Sequence, residues 1–312
     1  MKELKVVFMG TPDFSVPVLK MLIDNTNVIG VVTQPDKPVG RNGKISITPV
    51  KEVALEHNIR LFQPNKIREE YEEILNLNPD IIITCAYGQI IPKAILDYPR
   101  LGCVNVHASL LPYHRGGAPI HRAIIEGDKQ SGVTIMYMDV NMDSGDIISQ
   151  EKVDILDTDT AESLFDKLSN LGSKLLLNTL PSIIDGTNNR IKQDETKATY
   201  SYNIKPEDEI IDFSKTRREV FNQIRGLNSW PVAYTYLDGK RLKVWASKIG
   251  SDAISTECGT IINIYKDGIG VQVSDGEIIL TEIQPESKKK MDASAYINGH
   301  KNIEELKGKR LG

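Results

Sequence analysis

The sequence predicts an α/β protein, a mostly parallel sheet with helices on both faces, followed by a small antiparallel β-barrel. Three observations carry this. Up to about residue 185, short apolar runs alternate with helically spaced segments, and strands that alternate with helices pair in parallel and are covered on both sides. A polar stretch without clear period follows, from about Thr187 to Glu209. Beyond it Asp-Gly recurs at 238–239, 267–268 and 275–276 among β-branched residues, which signals hairpins. The expected division is a first domain over 1–186, a linker over 187–209 and a barrel domain over 210–312.

Taken in order, "LKVVFMG" enters a strand within three residues of the amino terminus, without the apolar stretch and cleavage site of a signal peptide. The runs "VIGVVTQ", "DIIITCAYG", "GCVNVH" and "VTIMYMDV" read as further strands, and "PVLKMLIDN", "TPVKEVALEHN" and "IREEYEEILNLN" as helices between them. "SLLPYHRGGAPI" is a Pro and Gly loop into a helix beginning near Ala118 or Pro119. The segment from Asp159 to Gly186 is predicted as one long helix, with Asp159 as N-cap, Glu162 completing a capping box, and its end near Pro181 and Gly186. "KTRREVFNQIRGL" is an amphipathic helix, and "VAYTYLDGKRLKVWA" two strands around Asp238-Gly239.

At 312 residues the chain buries its cores without disulfide or metal staples. The net charge of −4 argues against bulk attraction to nucleic acid or an anionic membrane, so any polyanion must meet a local patch. Residues 205–312 carry 17 Lys and Arg against 16 Asp and Glu, and the first 204 carry 21 against 26. Cys85, Cys103 and Cys258 are odd in number, two of them in apolar runs, which suits small core residues in a reducing compartment. No window has the apolar length of a membrane span. A soluble, cytoplasmic protein is expected. No metal is expected either, because His57, His114, His121 and His300 have neither ligand spacing nor Cys partners.

The first loop, "GTPDFSVPVLKML", stands where a dinucleotide-binding protein places G-x-G-x-x-G. Pro12 and Asp13 fill the positions that must let a pyrophosphate approach the backbone, so a dinucleotide is not expected. In "VNVHASLLP", Asn105 and His107 are two apart on a strand and share a face. Both lie where ligands bind in an open parallel sheet, beyond the carboxyl ends of strands. An amide beside an imidazole is a weak nucleophile pair, but it suits oxyanion stabilisation, the amide donating and a protonated His adding charge. An imidazole ordinarily titrates at roughly 6.5, so it needs a carboxylate to stay cationic. Asp143, in a turn after a strand whose end can reach the same edge, offers one and can relay a proton. On spacing alone a structural His and an ordinary turn Asp remain open. So does a plain solvated loop for "TQPDKPVGRNGKISITPVK", which carries Lys37, Arg41, Lys44 and Lys51.

The motifs "NVHASLLP" at Asn105–Pro112, "RGGAP" at Arg115–Pro119 and "DSGDI" at Asp143–Ile147 together resemble the formyltransferases that use 10-formyltetrahydrofolate. "GTPDFSVPVL", "VTQPDKPVGRNGK", "AYGQIIP", "ATYSYNIKPEDEIIDF" and "IRGLNSWPVAYT" extend the resemblance over nearly the whole chain. They are most similar to the branch of that family whose acceptor is initiator methionyl-tRNA, in translation initiation. The resemblance implies a Rossmann-like first domain and an OB-like second one. It implies that Asn105 and protonated His107 stabilise the tetrahedral oxyanion of formyl transfer, while Asp143 holds His107 and relays the proton. It also implies that Ser109, Leu110, Leu111 and Pro112 line the folate site, and that Tyr87, Gly88, Gln89, Ile91 and the loop from Asp139 to Asp143 help bind the pterin. The basic insertion would contact the acceptor end of the tRNA, Arg41 decisively and Lys37 and Lys44 through phosphates. The barrel would grip the tRNA arm, with Lys288 to Lys290, Arg217, Arg218 and Arg225 as candidates. No obligate protein partner is implied.

Two rivals compete. Sugar-nucleotide N-formyltransferases share the triad and often a similar second domain, but the basic loop favours tRNA. Glycinamide ribonucleotide formyltransferase leaves the last hundred residues without a purpose. A non-catalytic RNA-binding module leaves the convergence of Asn105, His107 and Asp143 unexplained.

Overall fold

A computed structural model describes residues 1–39, 44–300 and 302–312 of the chain. Its contacts fall into two compact units. The first comprises Met1–Pro119, Ser131–Val153 and Phe165–Ser201, and the second Ile120–Gln130, Asp154–Leu164 and Tyr202–Gly312. The polar stretch read as a linker therefore belongs, up to Ser201, to the first unit. It carries no periodic signal because up to Ser201 it forms only one short 3-10 turn, Glu195–Lys197, and is otherwise held by isolated contacts, such as the paired hydrogen bonds between Ile191 and Ile147.

In chain order the elements are β1 (Lys5–Gly10), α1 (Val16–Asn25), β2 (Asn27–Val32), a short hairpin of β3 (Lys37–Val39) and β4 (Lys44–Ser46), α2 (Pro49–Glu56), β5 (Leu61–Phe62) and α3 (Glu72–Leu75). Then follow β6 (Ile81–Cys85), α4 (Lys93–Leu96), β7 (Cys103–His107), α5 (Pro119–Glu126), β8 (Gln130–Tyr137), β9 (Ile147–Asp154) and α6 (Ala161–Asp185). The first unit is built on a seven-stranded sheet in the order β5-β2-β1-β6-β7-β8-β9. From β5 to β7 every pairing is parallel, and β8 runs antiparallel to β7. The expected mostly parallel α/β architecture is what the chain adopts.

Helices cover both faces, and the register assigns each strand residue to one. Val7, Ile82 and Cys103 lie opposite one another and share a core with Ile74 of α3 and Ile95 and Leu96 of α4. On the other face α6 approaches closely at Gly172, whose added Cβ would stand 2.8 Å from Val106. Asn105 and His107, in phase with Cys103, therefore project to the α3 and α4 side. Burial pushes the thiols of Cys85 and Cys103 up to about 12, as expected of inert core residues.

Two helices differ from the reading above. Only Glu72–Leu75 of "IREEYEEILNLN" is helical. The apolar spacing of Ile67, Tyr71 and Ile74 serves the core, but the Glu70 carboxylate accepts from the Lys66 backbone N–H and closes a separate turn first. For α6, the reciprocal cap is Thr160 with Ser163, each backbone N–H donating to the other's hydroxyl, rather than Asp159 with Glu162. Asp159 instead accepts from the Leu156 N–H and the Ser163 hydroxyl. Ser and Thr compete with Asp at this position, and adjacent candidates are hard to rank from sequence. The helix runs through Pro181 and stops at Asp185, before Gly186 at φ +70°.

The second unit carries α7 (Arg217–Gly226), capped by a Thr216–Glu219 box, then β10 (Tyr234–Leu237), β11 (Lys240–Ile249), β12 (Ile261–Ile264), β13 (Ile269–Val273), β14 (Gly276–Pro285) and β15 (Met291–Asp292). The strands form one curled antiparallel sheet, β10-β11-β14-β13-β12 with β15 on β14, consistent with a small barrel-like domain. Asp238 and Gly239, at φ +50° and +71°, make the two-residue turn that their sequence signals. Val220 and Ile224 of α7 join Leu242, Val244, Val271 and Leu280 in its core. No helix among the described residues is long and apolar enough to cross a membrane, and none of their His, Cys, Asp and Glu side chains cluster in threes as metal ligands.

Candidate active site

The carboxyl ends of β1, β2, β6 and β7 share one edge of the sheet because these strands are parallel. His107 ends β7 there, buried, with Nε2 3.0 Å from the His114 carbonyl oxygen. A carbonyl only accepts, so Nε2 carries a proton and Nδ1 is the ring nitrogen left for chemistry. Nδ1 faces Asp143, whose Oδ1 lies 3.7 Å away, an ion-pair distance when the ring is protonated. The other carboxylate oxygen of Asp143 accepts from the Gly116 N–H at 2.7 Å. Asn105 accepts at Oδ1 from the Thr84 hydroxyl at 2.8 Å, which leaves its NH₂ as a donor on the same face as His107.

Asp143 reaches this place by a route the sequence does not suggest. The reading above puts the end of the strand "VTIMYMDV" near the same edge as His107. Instead β8 is antiparallel to β7, with Tyr137 opposite Val104 and Thr134 opposite His107, so its end lies at the far edge. The loop 138–146 folds back to bring Asp143 to His107. Asp143 sits at φ +49°, a conformation that costs a non-glycine residue about 1–3 kcal/mol and persists only where the surroundings over-determine it. Gly145 is required beside it, since a Cβ there would lie 1.9 Å from the Tyr137 carbonyl oxygen.

Of the loops expected to line a folate site, those after β6 and β7 leave the same edge, whereas the loop that holds Asp139 starts from the far one. Ser109 is buried and donates to the Tyr113 carbonyl at 2.6 Å; Leu111 is buried with Met136 and Ile147; Leu110 and Pro112 are partly exposed. Thr134, missed from sequence, organises this turn: its hydroxyl donates to the Ser109 carbonyl and accepts from the Leu111 N–H and the Gln150 amide. After β6, Tyr87 and Ile91 turn into the core, and burial raises the Tyr87 phenol. The Tyr87 carbonyl accepts from Thr11 and Gln34, tying the first loop to this one. Gln89 spends its side chain on the Ile67 N–H and the Pro64 carbonyl. Gly88 is exposed at φ +88°, and the apolar side chain offered outward is Ile90, 86% exposed. Asp139 is exposed, its carboxylate accepting from the Val140 N–H. Val140 and Met142 beside it are also exposed. Exposed apolar side chains on loops that also carry or adjoin the buried His107 and the half-buried Asp143 suit a flat heteroaromatic ligand.

The family pattern described as "Formyl transferase" matches residues 4–180, more than half of the chain, and "Formyl transferase, C-terminal domain" matches residues 203–301. The chain belongs to the formyl transferase family. Two methionyl-tRNA formyltransferases are similar over nearly the whole length. That of Bacillus licheniformis is 55% identical over 299 residues, 95% of each chain, and that of Bacillus subtilis 54% identical over 299 residues, 95% of this chain and 94% of the relative. Among solved structures, the N-formyltransferase of Helicobacter canadensis with folinic acid and dTDP-3-aminofucose shares the fold, with a TM-score of 0.66 at 21% identity over 91% of this chain and all of that one.

In this formyl transferase the basic segment is the β3–β4 hairpin, with Lys37 opposite Ser46 and Val39 opposite Lys44. Lys37 is exposed. Lys44 contributes to the hairpin ladder, and Arg41 lies outside the described residues. Lys51 is not a free cation: its ammonium pairs with Asp36 and donates to Gln63 at 2.9 Å, holding the hairpin at its base. In the second unit Arg225 is buried and donates to the Leu156 and Asp159 carbonyls, so it is removed as a phosphate contact. Arg218 pairs with Asp157 at 2.7 Å, Arg217 with Asp275 at 3.4 Å, and Lys290 with Glu282 at 2.8 Å, while Lys288 and Lys289 are exposed.

Proposed function

We propose that this formyl transferase moves the formyl group of 10-formyltetrahydrofolate to the α-amino group of initiator methionyl-tRNA, in the cytoplasm, for translation initiation. The observation that carries the acceptor is the near full-length similarity, at 54–55% identity, to proteins named methionyl-tRNA formyltransferase. The geometry supports the chemistry. The co-substrate supplies an activated formyl carbon; everything else falls to side chains. The Asn105 NH₂ and the Nδ1 edge of protonated His107 stabilise the oxyanion that forms when the amine attacks the formyl carbon; Asp143 holds the imidazolium and relays the proton lost by the amine to folate N10, which leaves as the C–N10 bond breaks and tetrahydrofolate is released. Ser109, Leu110, Leu111, Pro112, Tyr87, Gly88, Gln89, Ile91 and Asp139 shape the folate site, with Tyr87, Gln89 and Ile91 acting through the backbone of their loop. Lys37, Arg41 and Lys44 meet the tRNA, and the second unit adds further RNA contacts through residues such as Lys288.

The test offers 10-formyltetrahydrofolate with charged initiator tRNA and, separately, with an amino-sugar nucleotide, and follows released tetrahydrofolate. Release with the tRNA alone is expected. Release with the sugar nucleotide and none with the tRNA overturns the acceptor.

A further inference from the structure

The segment from Ile191 to Ser201 touches both loops that feed the His107–Asp143 pair. Toward the 112–118 loop, the Thr199 hydroxyl and carbonyl accept from the backbone N–H groups of His114 and Arg115, both at 2.8 Å. Ser201 donates from its own N–H to the Arg115 carbonyl at 2.7 Å. That loop supplies the His114 carbonyl to His107 and the Gly116 N–H to Asp143. Toward the 143–147 turn, Gln193 donates from Nε2 to the carbonyls of Asp143 and Gly145, each at 2.8 Å. Its Oε1 accepts from Arg115 Nε at 3.1 Å and Nη2 at 2.8 Å.

This uses both protons and both lone pairs of one amide. Its orientation is dictated, because a guanidinium only donates and carbonyls only accept. Arg115 is an unusual anchor, only 1% exposed, and two further N–H groups make a two-fold contact to Glu195, Nη1 at 2.9 Å and Nη2 at 2.7 Å, beside a hydrogen bond to Tyr200. The Glu195 carboxylate raises the guanidinium's affinity for its proton further, and Arg115 holds the Glu195 carboxyl below the usual range.

We propose that Gln193 is a positioning residue for the transfer reaction: it bridges the buried Arg115 guanidinium to the Asp143–Gly145 turn and so holds the Asp143 carboxylate against His107. The turn folds back from the far edge of the sheet at a left-handed residue; β8 holds its end through the Asp146 carbonyl and the Gly116 N–H holds the Asp143 carboxylate, while Gln193 fixes the turn's backbone at Asp143 and Gly145. This rests on the reading of Asn105, His107 and Asp143 given above.

The test is Gln193→Glu, which keeps both acceptors for Arg115 but sets a carboxylate oxygen against two carbonyls. It is measured beside Gln193→Met, Thr196→Ala and Asn105→Ala by formyl transfer to initiator methionyl-tRNA and by thermal unfolding. For Gln193→Glu and Gln193→Met, kcat is expected to fall roughly 10- to 100-fold with both KM values within about threefold and unfolding still cooperative. Thr196, whose hydroxyl and backbone N–H both bond to Asp194, is expected to tolerate Ala without loss. Unchanged kcat in either folded Gln193 variant overturns the proposal. So does failure of both to fold, which makes the segment a structural brace alone. If Asn105→Ala keeps wild-type turnover, the reading of the site fails instead; if only Gln193 proves dispensable, the positioning role fails and the reading stands.

Discussion

The Asp143 turn and the β3–β4 hairpin are both irregular excursions of the first unit, and they are built in opposite ways. Asp143 is held by the Gly116 N–H at its carboxylate and by Gln193 at its carbonyl, beside a buried His107. The hairpin stands on three-residue strands, with exposed Lys37 and Ser46, and is secured at its base by Asp36, Lys51 and Gln63. Under the proposed function, the difference follows from what each must meet. Charge that develops on one oxygen during a reaction is stabilised only by groups fixed beforehand. A phosphate backbone is met by cations free to reach it.

The largest effects should therefore come from the fixed region. Asn105→Ala removes one oxyanion donor and is expected to lower kcat by about 10²- to 10³-fold while the protein stays folded, measured by tetrahydrofolate release and thermal unfolding. Gly145→Ala should damage the turn itself, lowering stability by roughly 1–3 kcal/mol in denaturant unfolding along with kcat, since the new Cβ meets the Tyr137 carbonyl. Unchanged stability there would show that the turn is not tightly held. In the basic segment, Lys37→Ala or Arg41→Ala is expected to raise the tRNA KM several-fold, leave the folate KM alone and reduce the salt slope of binding by about one each. An unmoved slope removes the hairpin from the tRNA interface.

The smallest effect concerns the hairpin's base. The Lys51 ammonium, then the Gln63 amide, hold the Asp36 carboxyl below the usual carboxylate range. A lowered folded value means the contribution is present above the ordinary carboxylate pKa of roughly 3.9 and is lost as pH falls through the lower value. The stability difference between wild type and Asp36→Asn should thus be constant near neutrality and shrink in acid. A difference that grows as pH falls contradicts that assignment.

The same contrast governs what could be read in advance. The Asn105 and His107 pairing was legible because a strand's period of two states which residues face together. The Asp238-Gly239 turn was legible because its φ values demand such residues. The return of Asp143 was not, since nothing in "VTIMYMDVNMDSGD" reveals that β8 runs antiparallel to β7. Arg115 reads as an ordinary loop cation until Glu195 and Gln193, eighty residues on, bury it. Gln193 lies in a stretch whose polarity suggested free chain, because contacts made by single side chains leave no periodic trace.

The central claim is that a carboxylate fixed against an imidazolium carries formyl transfer. Asp143→Asn keeps an acceptor for the Gly116 N–H but removes the charge, so the single-turnover rate of formyl transfer to initiator methionyl-tRNA tests it most directly. A fall of about 100-fold or more is expected, with folate affinity unchanged; a rate near that of wild type contradicts the account.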